Sequence, residues 1–179
     1  MSSHALSSLP QPAHPITIRA AAATDHGAVA AIYTHYIERG DVTFDGGPFT
    51  AGDVARMQGR LGPREHLLVA EVDEAVVGWG AVKLYSERIG YARCCESSIY
   101  LDPGQRGRGY GRQLQQRLME LIAREGFHHV VAKIVATNSG SIAFHQRFGF
   151  EVVGCQKQIG FVNGRWHDVV IMQCLLNSP

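Results

Sequence analysis

No stretch of this 179-residue chain approaches the ~18 consecutive apolar residues that a bilayer-crossing helix needs. Nor is there a surplus of charge: 17 basic and 16 acidic side chains leave a formal net charge of +1. Such a balance supports neither broad nucleic-acid binding nor adhesion to an anionic membrane. Cysteine is scarce, and Cys94, Cys95, Cys155 and Cys174 match no zinc-ligand spacing. No metal site is expected. An adjacent pair such as Cys94-Cys95 points to opposite faces of a strand, and the four are expected as reduced, packed thiols. The segment Met1 to Pro15 is rich in Ser, Pro and His but lacks a basic stretch followed by an apolar one. It reads as a disordered tail rather than an export signal, which makes the cytoplasm the default compartment. What remains has an ordinary globular composition, 45% hydrophobic and 18% charged. That suits a single domain with a full core over residues 16–176, without internal repeat or linker.

The periodicity alternates between strand and helix. A short strand is expected at Ile16 to Ala20, then a helix capped by Thr24 in which Val29, Ile32, Tyr33 and Tyr36 recur at helical spacing. Gly40 to Phe49 reads as loop, and Thr50-Ala51-Gly52-Asp53 as a capping box opening a second helix. Leu67 to Glu71 and Ala75 to Tyr85 suit two strands joined near Asp73-Glu74, followed by a loop from Ser86 to Tyr91. Cys94 to Leu101 is a further strand, stopped by Asp102-Pro103-Gly104. Leu114, Leu118, Leu121 and Ile122 form one stripe, predicting an amphipathic helix from Tyr110 to Glu125 ended by Gly126. His129 to Ala136 is a strand, and Asn138 caps a short helix closed by Gly149. Two late strands, near Glu151 to Ile159 and Trp166 to Leu175, flank the turn Asn163-Gly164. The order predicts an α/β (α+β) fold: a mixed, mostly antiparallel sheet of six to seven strands flanked by about four helices.

The most informative segment is Gln105-Arg106-Gly107-Arg108-Gly109-Tyr110-Gly111-Arg112, entered from a strand and left through a helix. Glycines let the backbone turn tightly and approach a ligand. Successive N–H groups then converge on an anion at the positive end of the helix, and arginines add charge and donors. A diphosphate is the natural guest. The Gly-Lys-Ser/Thr of a P-loop is missing, and the spacing and position differ from a dinucleotide fingerprint. An ordinary arginine-rich surface turn is the bland alternative.

The loop resembles the acetyl-CoA motif of the GNAT superfamily of N-acetyltransferases. Asn138-x-x-Ser141 and Phe144-His145-x-x-Phe148-Gly149-Phe150 are similar to that superfamily's downstream motif. Glu96-Ser97-Ser98-Ile99-Tyr100, Ser141-Ile142-Ala143-Phe144-His145, Gly164-Arg165-Trp166-His167-Asp168 and Thr43-Phe44 resemble the phosphinothricin N-acetyltransferase branch. The resemblance covers about Ile16 to Cys174 and implies the GNAT fold, a homodimer and acetyl-CoA as co-substrate. It also implies transfer to the α-amine of phosphinothricin, methionine sulfoximine or methionine sulfone by direct attack in a ternary complex, a detoxifying reaction.

By this resemblance Glu96 is the general base. His145 stands where many superfamily members carry a tyrosine, and an imidazole suits acid or base chemistry near neutrality. Ile99, Tyr100 and Leu101 would run beside the pantetheine arm as a neighbouring strand does. Arg106, Gly107, Arg108, Gly109, Tyr110, Gly111 and Arg112 would hold the diphosphate, with Asn138 and Ser141 further along the groove. Phe44, Tyr91, Arg93 and Tyr100 would line the acceptor pocket. Ala92-Arg93-Cys94-Cys95 departs from the Thr-Val that commonly precedes the glutamate. Two other readings stay open: acetylation of protein N-termini or other amines, and a CoA-binding protein without catalysis, against which Glu96 and His145 argue.

Overall fold

The computed structural model describes residues 15–176. The expected tail, Pro15 aside, lies outside the described residues. Seven strands form one sheet: β1 (Thr17–Ala20), β2 (His66–Val72), β3 (Ala75–Leu84), β4 (Cys94–Leu101), β5 (His129–Val135), β6 (Glu151–Val162) and β7 (Arg165–Leu175). Four α-helices accompany them: α1 (His26–Arg39), α2 (Ala51–Gly59), α3 (Tyr110–Arg124) and α4 (Ser139–Gln146). The sheet order is β1-β2-β3-β4-β5-β7-β6. All neighbours are antiparallel except β4 and β5.

The helix signals act largely as the sequence suggests. Thr50 and Asp53 form the capping box of α2, with Asp53 accepting from the Thr50 N–H at 2.8 Å. Asn138 caps α4 by accepting from the Ser141 N–H at 3.1 Å. The cap expected at Thr24 is not formed. Thr24 lies inside a 3-10 turn, Ala23–Asp25, and the Asp25 carboxylate accepts from the Ala22 N–H at 2.7 Å. The Asp25 carboxylate closes the 3-10 turn in this way, and α1 begins after it at His26 with no side-chain cap.

The two faces of the sheet bury separate cores. On one face Leu114, Leu118 and Ile122 of α3 are fully buried against Cys95, Val130, Ala132 and Met172. Burying each such aliphatic side chain contributes about 1.5–3 kcal/mol. On the other, Val29, Tyr33 and Tyr36 of α1 pack on Val69, Trp79 and Ala81. Strand alternation therefore places Cys95, Ser97, Ile99 and Leu101 toward α3, and Glu96, Ser98 and Tyr100 toward α1.

The β4–β5 ladder positions the site. It pairs Cys94 with His129, Cys95 with Val130 and Glu96 with Val131, then stops, although both strands continue. Beyond Glu96 the strands part, leaving a wedge whose apex is Glu96.

Candidate active site

The wedge opens into a cavity of about 480 Å³ lined by Tyr36, Ile99, Tyr100, Leu101, Arg106, Gly111, Asn138, Ser141, Phe144 and Arg147, among others. A smaller space of about 50 Å³ lies in the gap between the strands, between Ser97, Ser98, Lys133, Ile134, Ser141 and His145. Because Ser97 belongs to the α3 face and Ser98 to the α1 face, the gap joins the two sides of the sheet.

The glycine-arginine loop forms one wall. Asp102 caps a 3-10 turn, Pro103–Gln105, by accepting from the Gly104 N–H at 2.8 Å. Gly107 and Gly109 then adopt φ of 76° and 82°, the left-handed region open to glycine at little cost. Gly109 is the N-cap of α3 and offers no side chain, so no side chain caps the helix. Its first-turn N–H groups are left for an outside acceptor. A Cβ at Gly111 would sit 2.9 Å from a Leu101 methyl, so only glycine lets α3 start this close to β4.

Arg106 folds back over Tyr36, its guanidinium carbon 5.3 Å from the ring centroid. It donates to the Tyr36 hydroxyl at 2.7 Å, and that hydroxyl donates to the Leu101 carbonyl at 2.5 Å. Tyr36 thus ties α1 to the end of β4, a role hidden in sequence within an apolar helical stripe. Arg108 and Arg112 are exposed and line neither space. The Tyr110 ring is buried in the α3 core, so only its backbone faces ligand chemistry.

His145 is 4% exposed, its ring edge-on to Phe144 and Phe150. Its Nδ1 lies 2.8 Å from the Ser141 carbonyl, which can only accept, so that nitrogen carries the proton. Burial pushes the imidazole below its ordinary value, with the Ser141 carbonyl opposing the shift. The ring is therefore neutral near pH 7, with Nε2 as an acceptor.

Glu96 is held by Lys133, whose Nζ is 2.6 Å from Oε2. In the sequence Lys133 is one polar residue within an apolar strand, with no motif around it. Nearby, Tyr85 and Tyr91 rings lie 5.6 Å apart, which brings Tyr91 to this mouth. Tyr100 stacks on Trp79 at 4.6 Å, and burial pushes its phenol up to about 12, the hydrogen bond to Tyr33 working against this. Phe44 sits over β6 rather than in either space: a Cβ at Gly160 would meet its ring at 2.3 Å. Its ring also lies 5.6 Å from that of His167. Arg93 is an exposed turn residue whose carbonyl accepts from the His128 and His129 N–H groups, and its side chain lines neither space.

All four cysteines are free. Burial pushes the Cys95 thiol up to about 12 and also raises Cys94, with the Glu96 charge adding to the latter. Thiols held protonated are poor nucleophiles, which disfavours an acyl-cysteine route beside Glu96. Among the described residues no cluster of His, Cys, Asp and Glu suits a metal ion.

Residues 24–150 match the acetyltransferase (GNAT) family.

The chain belongs to that family.

It is 34% identical over 159 residues to a phosphinothricin N-acetyltransferase of Streptomyces viridochromogenes, covering 89% of this chain and 87% of the relative. It is 32% identical over 168 residues to an L-methionine sulfoximine/L-methionine sulfone acetyltransferase of Salmonella typhimurium, covering 91% and 96%. A GNAT superfamily phosphinothricin acetyltransferase from Sinorhizobium meliloti, solved in complex with acetyl-CoA, superimposes with a TM-score of 0.85. That structure is 32% identical, and the match covers 90% of this chain and 89% of the neighbour.

Proposed function

We propose that this acetyltransferase moves the acetyl group of acetyl-CoA to the α-amine of a small amino-acid-like acceptor such as phosphinothricin, methionine sulfoximine or methionine sulfone. The observation that carries this is the wedge: a carboxylate at its apex, an uncapped helix start at its mouth, and a gap joining the two faces. Acetyl-CoA supplies an activated acetyl thioester. The residues present fit such a donor. The parted edges of β4 and β5 leave backbone groups for an extended arm. Ser97 Oγ is buried in the gap without a protein partner among the described residues, and the α3 N–H groups await an anion.

Arg106 and the backbone from Gly107 to Gly111 hold the diphosphate, and Ile99, Leu101, Asn138 and Ser141 flank the arm. Arg147, whose guanidinium lies 5.9 Å from the Phe144 centroid, adds a further cation to the same cavity, which Arg39 also lines. On the acceptor side Glu96 takes the proton of the incoming ammonium, which must be lost before nitrogen has a lone pair to attack with. The amine then attacks the thioester carbonyl while donor and acceptor are bound together, the C–S bond breaks, and CoA leaves as its thiolate, which takes up the proton that the acylated nitrogen sheds. His145 keeps its Nδ1 proton on the Ser141 carbonyl and offers Nε2 as an acceptor, so it serves as a brace for α4 rather than as an acid.

Among the described residues no helix is long and apolar enough to cross a membrane, and we read the enzyme as a cytoplasmic, detoxifying one. The β6–β7 ribbon leaves Val152, Val153, Ile159, Phe161 and Trp166 half exposed or more, and we read it as the contact of a homodimer.

The test is CoA release by the purified protein with acetyl-CoA and a panel of phosphinothricin, methionine sulfoximine, methionine sulfone, free amino acids and peptides. Turnover with the amino-acid analogues is expected. Turnover with peptides alone contradicts the reading, and tight acetyl-CoA binding without turnover marks a non-catalytic protein.

A further inference from the structure

The acceptor mouth needs a cation if its substrate carries an anion beside the amine, and Arg93 is not where one is required. Lys133 is. Its register places it there: Glu96 pairs with Val131, so two residues further along β5 Lys133 lies on the same face of the sheet. Its ammonium is 2.6 Å from Glu96 Oε2 and 5.8 Å from the centroid of the Tyr85 ring. The side chain is 46% exposed and also lines the gap between the strands. Lys83, the register partner of Glu96 on β3, is exposed on the far side of the carboxylate.

We propose that Lys133 is the receptor for the acceptor's anionic group, a carboxylate or phosphinate, and so sets the preference for zwitterionic acceptors. This rests on the acetyl-transfer reading above. The Lys133–Glu96 pair is a dipole at the apex of the wedge. An α-amino acid carries the same two charges in the opposite order. Its ammonium meets Glu96 while its anion meets Lys133, giving four alternating charges in which none is left without a partner. The four-carbon lysine stem allows the small swing this needs, and the Tyr85 face holds the ammonium during it. An acceptor without the anion leaves Lys133 on Glu96 and must compete with it for the carboxylate. The same residue therefore attracts zwitterions and resists amines that lack the anion, combining favourable contact with rejection.

The experiment compares methionine sulfone with its carboxamide as acceptors for the wild type, Lys133→Gln and Lys133→Arg. CoA release is the kinetic readout, with calorimetric binding of each acceptor to the CoA-loaded protein alongside. Lys133→Gln is expected to lower the acid-to-amide ratio of kcat/KM about 10–100-fold, the scale for losing one charge-assisted hydrogen bond. The change should come mainly through KM of the acid, and Lys133→Arg should keep the preference. An unchanged ratio, or an equal loss for both acceptors, overturns the proposal. Wild-type binding of the acid without turnover would defeat the acetyl-transfer reading. The binding comparison then decides Lys133 alone: loss of acid binding in Lys133→Gln supports it, and equal binding overturns it. Absence of acid binding to the wild type also overturns it.

Discussion

Glu96 sits on the last rung of the β4–β5 ladder, half in the sheet and half in the wedge. Glu96→Gln keeps the shape and removes the base. It is expected to lower turnover about 10²–10⁴-fold while acetyl-CoA still binds. The deficit should narrow as pH rises toward the acceptor amine's own ionisation, because a free amine needs no base. Unchanged kinetics would remove Glu96 from the reaction. His145 gives a prediction of another kind. Burial holds its imidazole below the ordinary 6.5, whereas in the unfolded chain it takes up a proton near that value. The unfolded state therefore binds more protons in the window below 6.5, so this group erodes stability there as pH falls and has no effect above it. Urea midpoints should fall between about pH 7 and about pH 5 more steeply for the wild type than for His145→Gln. Parallel slopes would contradict this. The cap at Asn138 was legible in sequence because it stands at an element boundary, whereas Glu96 was singled out only by resemblance to a family motif. Lys133 and Tyr36 were not legible. Lys133 gains meaning only from the register that sets it beside Glu96, and Tyr36 only from contacts 65 and 70 residues away in sequence.

Among the elements, the strand β4 matches its sequence bounds because Asp102-Pro103 ends it sharply. β6 runs further than its pattern suggested, to Val162. Its register slips between Gln156 and Gly160, with Gln158 at φ 52° held by the Asp168 carboxylate at 2.8 Å, and the slip breaks the alternation that reveals a strand. The segment after α1 is likewise invisible to periodicity. Tyr33 bonds Thr43 Oγ1 at 2.7 Å, and the Thr34 hydroxyl both accepts from the Phe49 N–H and donates to its carbonyl, fixing both ends of the segment. Phe44 between them rests on Gly160. Gly160→Ala would place a methyl 2.3 Å from the Phe44 ring and push the segment off the hairpin. The expected result is a loss of about 1–3 kcal/mol in stability, the usual cost of overpacking, read as a lowered urea midpoint. An unchanged midpoint would show that the Phe44 ring moves aside at no cost.

For the whole molecule, the six-to-seven-strand sheet with four helices follows from patterning, because each face buries one helix pair. The exposed ribbon does not follow, since an apolar strand facing solvent reads in sequence like one facing a core. Phe161 and Trp166 are 58% and 60% exposed with rings 4.9 Å apart, a surface a monomer has little reason to keep. Sedimentation equilibrium is expected to give a dimer mass for the wild type and a monomer mass for the double substitution Phe161→Glu, Trp166→Glu. A monomeric wild type at micromolar concentration contradicts the reading.

The strand order has a consequence for biosynthesis. Among the described strands β7 is the last made, yet it lies between β5 and β6 and pairs with β5 from His129 to Val135. Everything that forms the donor groove, from Tyr36 to Arg147, leaves the ribosome earlier. Until Leu175 emerges, β5 presents a bare apolar edge and β6 has no neighbour in the sheet. The nascent chain therefore exposes every residue of its cofactor groove before it can close its sheet. A ribosome stalled or a message truncated within the last ten residues of β7 yields a sticky, open-edged product rather than a shortened enzyme.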